Sequence, residues 1–97
     1  MLTLEDCIAY CDLTEEEILA IAEHEHMPEM AAIAYGQYLL RKDEGAAQIF
    51  KMIVEDIRSS QERGDREHVQ TLLHVLHHFI RSHPEAAPDQ HPWHKIF

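Results

Sequence analysis

Residues 13–29 read LTEEEILAIAEHEHMPE, and the parsing of this stretch decides the fold. Thr14 followed three residues later by Glu17 is a capping box, in which each side chain accepts from the other's orphan backbone N–H. Leu13 before the cap and Ile18 after it form the accompanying hydrophobic staple. These signals start a helix at Glu15. Pro28 then suits the first position of a further helix, because its missing N–H would have no helical partner there.

Working outward, Thr3 is another N-cap and starts a helix near Leu4, with CDL (11–13) as a tight turn into the next. The helix opened by Pro28 runs to LLRKDEG (39–45), where Arg41 and Lys42 sit favourably at the negative end of its dipole and Gly45 marks the break. AAQIFKMIVEDIRSSQER (46–63) forms a fourth helix ending at Gly64. Asp65 caps a fifth, REHVQTLLHVLHHFIRSH (66–83), which Pro84 stops. The remainder, PEAAPDQHPWHKIF (84–97), is proline-rich and lacks helical period, and reads as an extended tail with Trp93, Ile96 and Phe97 as docking residues.

Ninety-seven residues suffice for one core and are too few for two. Three glycines in the whole chain argue against a loop-rich β architecture. The sequence therefore predicts an all-α fold: a compact bundle of about five short helices over residues 1–83, and an extended C-terminal tail over residues 84–97.

Spacing at about 100° per residue assigns faces. Leu4, Cys7, Ile8 and Cys11 share one stripe, so both cysteines read as small core hydrophobes; their separation is not a CxxC redox or zinc spacing. Ala46, Ile49, Phe50, Ile53 and Ile57 form one buried stripe, and Val69, Leu72, Leu73, Leu76 and Ile80 another. The third helix differs. Met30, Ile33, Ala34, Tyr38 and Leu40 cover one side, and Ala32, Tyr35, Gly36 and Leu39 much of the other. A helix apolar nearly all round is either central or covered by another subunit. With so few helices to surround it, a homo-oligomer is expected, with Tyr35, Gly36 and Leu39 as interface residues; the outer face of the fifth helix is a further candidate.

Charge narrows the partners. Eight basic against 18 acidic side chains give a formal charge of −10, which repels a nucleic-acid backbone or an anionic membrane. No apolar run approaches the roughly 20 residues of a membrane span, and MLTLEDC is not a secretory leader. A cytoplasmic protein is expected.

AEHEHMPE (22–29) is the one polar cluster that suggests chemistry. With Ile18 and Ala22 taken as the buried face, Glu23 and His24 point outward, while Glu25 and His26 turn inward. Glu23-x-x-His26 has the spacing by which di-iron bundles supply a carboxylate and an imidazole to one metal. Such a site needs a second copy of the motif. The nearest, Asp65-x-x-His68, is better explained by Asp65 as a cap. Iron or zinc on Glu23, Glu25, His26 and Glu29, with Asp56 as an added acidic ligand, is thus the alternative reading, completed only across a dimer axis. His74 and His78 lie four apart but opposite the apolar stripe, so they read as solvent-facing, with His77 flanking the core. His91 and His94 fall in the tail. Ser59, Ser60 and Ser82 stand near helix ends and neither cysteine has a base beside it, so no nucleophilic enzyme is expected.

The segments LTLEDC, LTEEEILAIAEHEHMPE and MIVEDI resemble those of a group of small, all-helical, uncharacterised proteobacterial proteins. The resemblance spans most of residues 2–83 and leaves out the tail. It implies a bacterial cytoplasmic protein and no assigned activity. The expected function is a small protein-interaction or regulatory module that self-associates, or binds another protein, with metal binding as the alternative and no cofactor otherwise.

Overall fold

The computed structural model describes residues 3–9 and 11–86. Among these it contains α1 (Leu4–Ala9), α2 (Glu15–Glu25), α3 (Glu29–Arg41), α4 (Gly45–Glu62), α5 (Arg66–Ser82) and a closing 3₁₀ turn (Pro84–Ala86), with no strand. The all-α expectation holds. The tail residues Trp93, Ile96, Phe97, His91 and His94 lie outside the described residues, as does Tyr10.

The starts of the helices follow their caps. In α1, the Asp6 N–H donates to Thr3 Oγ1 and the Thr3 N–H to Asp6 Oδ2. In α2, the Glu17 N–H donates to Thr14 Oγ1 at 3.2 Å and the Thr14 N–H to Glu17 Oε1 at 2.9 Å, which closes the expected capping box. Asp65 caps α5 by accepting from the His68 N–H. Pro28 is the N-cap of α3 and not its first helical residue, so the helix starts at Glu29, one residue later than expected. His26 ends α2 in the left-handed conformation, at φ 56°. Gly45 opens α4 as its first helical residue, with Glu44 before it at φ 63°.

The core is built mainly by α4 and α5, whose stripes meet face to face through Ile49, Ile53, Ile57, Leu72, Leu76 and Phe79. α2 lies across both and adds Ile18 and Ile21, while α3 packs on α2 and α4. α1 contributes no fully buried residue; Leu4, Cys7, Ile8 and, just after the helix, Cys11 rest partly buried against the core. Both cysteines are free thiols. The packing extends three residues past the expected boundary at 83: the 3₁₀ turn lies on α4 and α5, and Ala86 is buried. Phe79 stacks on His83 at a centroid distance of 4.8 Å, which helps bring the chain back over α5.

Candidate functional site

α3 presents two unlike sides. Its inner side supplies Ala32, Ile33, Gly36 and Leu39 to the core, and Leu39 is only 2% exposed. A Cβ on Gly36 would stand 2.6 Å from Leu13 Cδ1 and 3.2 Å from Ile21 Cδ1. The glycine therefore admits side chains of its own chain, not a second subunit. This corrects the expected interface at Gly36 and Leu39, which are interior because Leu13 and α2 occupy that side; Tyr35 is half-buried.

The outer side of α3 carries Met30, Ala31, Ala34 and Tyr38, all exposed. Met30 is 50% exposed and Tyr38 55%. Positions 30, 34 and 38 fall on successive turns of one face, so a methionine, an alanine and a tyrosine form a continuous apolar strip. The exposed positions of α4 (Gln48, Lys51, Glu55, Arg58) and of α5 (Glu67, Gln70, His74, Arg81) are polar. Arg41 prolongs the strip, and the Lys42 ammonium lies 5.2 Å from the centroid of the Tyr38 ring.

The AEHEHMPE cluster is also arranged differently from expectation. The buried face of α2 is Glu17, Ile18, Ala20 and Ile21, whereas Ala22 is only half-buried. Taking Ala22 as an inner residue rotates the helix by roughly one position, or about 100°. In the structure His24 turns inward, with Nε2 3.1 Å from Glu55 Oε2 on α4. Glu23 reaches α5, its Oε1 2.7 Å from His68 Nε2. His26 is exposed at the helix end, Glu25 is half-buried with Oε1 3.8 Å from His24 Nδ1, and Glu29 starts α3. The candidates Glu23, Glu25, His26 and Glu29 are not brought together. Among the described residues, no group of three or more His, Cys, Asp or Glu side chains is placed to hold a metal ion.

These side chains instead form a polar seam. Three histidine–carboxylate pairs tie α2 to its neighbours: His24 with Glu55, Glu23 with His68, and Glu17 with His78, where Glu17 Oε2 lies 3.0 Å from His78 Nδ1. His78 is exposed, as the α5 pattern implied, yet its ring turns back to the carboxylate of Glu17, which is 1% exposed. The pairs join residues 31, 45 and 61 apart, so no local spacing announces them. Asp56 sits within the seam, with Oδ2 buried and lacking a hydrogen-bond partner among the described residues; His24 Nδ1 is in the same position.

The chain matches no protein-family model, no curated protein and no solved structure.

Burial pushes the Asp56 carboxyl above its ordinary value; the nearby His24 and His68 oppose the shift, and Glu23 and Glu55 add to it. A carboxyl raised in the folded state holds its proton more tightly there than in the unfolded chain. Stability therefore falls as pH rises from the ordinary carboxyl value through the raised one, and the penalty is fully present above it. Asp56→Asn is expected to raise the melting temperature at pH 7, with the gain vanishing at pH values below the ordinary carboxyl range. A thermal melt series over pH checks this; a loss at pH 7 would mean that attraction from His24 and His68 outweighs desolvation.

Proposed function

We propose that this chain is a small helical interaction module of the bacterial cytoplasm that acts by self-association and not by catalysis. The outer strip of α3 is its working surface. The observation that carries this reading is the exposure of Met30 and Tyr38, with Ala31 and Ala34 between them, on a bundle whose α4 and α5 surfaces are polar. An apolar strip held open to water loses the stabilisation that burial would give, at roughly 25 cal/mol per Å². In a chain of charge −10, residues 30–40 contain no aspartate, glutamate, lysine or arginine. Two copies can approach there with the least mutual repulsion.

A face three turns long is small beside the roughly 800 Å² per partner of a standard interface. Association is therefore expected in the micromolar range, between about 10 µM and about 1 mM. Light scattering across that range should show the mass rising from one chain toward two. Ala34→Glu, which puts a charge at the centre of the strip without touching the core, should stay at one chain throughout. A wild-type mass fixed at one chain to millimolar concentration would remove this reading.

The metal alternative retains one point of support, the buried Asp56 Oδ2 that lacks a hydrogen-bond partner in the seam. Stoichiometric iron or zinc in protein purified without a histidine tag would favour it.

A further inference from the structure

We infer that the α3 strip takes a second copy of this chain in one orientation, antiparallel about a two-fold axis at Ala34; this rests on the self-association reading above. Three features of the strip lead there. First, Met30 and Tyr38 lie at equal distances from Ala34, four residues to either side, or about 6 Å along the axis. A two-fold axis at Ala34 therefore sets Met30 of each copy against Tyr38 of the other, and the small Ala34 against itself. Isologous contacts require such self-complementarity. A thioether against an aromatic ring is also a favourable pairing.

Secondly, Ala31 and Ala34 are the small exposed residues between the two large ones. They leave a shallow depression flanked by two projections, and an antiparallel partner offers the same relief in reverse order. Helix surfaces pack by placing projections into such gaps.

Thirdly, charge selects the direction. At the C-terminal end of α3 the exposed Arg41 continues the line of Met30, Ala34 and Tyr38, with Lys42 over the Tyr38 ring and Asp43 and Glu44 following in the turn; its N-terminal end carries no basic residue and the half-buried Glu29. Antiparallel copies keep the two Arg41 side chains at opposite ends of the contact. Parallel copies would set Arg41 and Lys42 of one chain beside the same residues of the other, which like-charge repulsion disfavours.

The test uses charge reversal across the axis. Met30→Glu and Tyr38→Arg each alter an exposed position and leave the core untouched. Each variant alone should weaken dimerisation at least about tenfold. Mixed in equal amounts they should recover a dimer. The hybrid sets the acid introduced at 30 on one chain against the base introduced at 38 on the other, and retains one native Met30–Tyr38 contact at its other end. A parallel hybrid has no such compensating pair. Sedimentation velocity on each variant and on the mixture reads the result, with circular dichroism confirming that both remain folded. Single variants that are monomeric with a mixture that stays monomeric overturn the antiparallel geometry and leave self-association through α3 standing. Single variants that dimerise as well as wild type, or a wild type that never dimerises, overturn both.

Discussion

Gly45→Ala is expected to lower the unfolding free energy by about 3 kcal/mol, at the upper end of ordinary overpacking costs. A Cβ at this position would fall 1.5 Å from the carbonyl oxygen of Leu39 and 2.4 Å from its carbonyl carbon. Those atoms belong to the backbone of α3, so no rotamer change relieves the clash. The φ of Gly45 is not in the left-handed region, unlike that of Gly64. Space, and not backbone conformation, demands the glycine. Gly36→Ala is the control. There the near atoms are the tips of Leu13 and Ile21, and alanine gains about 1 kcal/mol over glycine within a helix. Urea unfolding at constant slope should show a large shift of midpoint for the first and a small one for the second. Wild-type stability for Gly45→Ala would mean that the α3–α4 turn opens to admit a methyl group.

Glu17→Ala should cost about 2.5 to 4 kcal/mol, because one side chain serves two structures. Loss of a cap costs about 1 kcal/mol, and loss of a hydrogen bond to a charged group about 1.5 to 3 kcal/mol. Glu17 Oε1 accepts from the Thr14 N–H, and its Oε2 from His78 Nδ1, with the whole side chain buried. Truncation removes the tie between the start of α2 and the outer half of α5. Glu17→Gln keeps an oxygen for the Thr14 N–H but sets an amide NH2, a donor, against His78 Nδ1 where the carboxylate offered an acceptor, so an intermediate loss is expected. Thermal melts of both variants and of His78→Ala separate the two contributions. Equal stability of Glu17→Ala and wild type would show that desolvation of the carboxylate cancels both bonds.

Local signals are legible in the sequence and long-range ones are not, for a physical reason. Thr14 with Glu17 and Asp65 before α5 act through backbone groups three residues away, so their roles are written beside them. The stripes of α4 and α5 alternate cleanly between apolar and polar, and their buried faces follow from spacing alone. α3 offers no such contrast. Its apolar residues surround it, and the side that enters the core was settled by Leu13 and Ile21, which come from earlier in the chain. Likewise, the phase of α2 depends on whether Ala22 or Ile21 marks the inner face. An alanine fits either environment, and the choice moved His24 from outside to inside and His26 the other way. The seam pairs were invisible because each joins distant residues, and neither member of a pair carries a sign of the other.

The succession of contacts, α2 on α3, α3 on α4 and α4 on α5, has a kinetic consequence. Helices that pack mainly on their neighbours in sequence close short loops, so little chain entropy is lost before contacts begin to compensate for it. Topologies of this kind fold on the order of microseconds to milliseconds. The apolar strip of α3 would then emerge on a bundle that is already assembled, and two copies would meet as folded bodies rather than entangle while still forming.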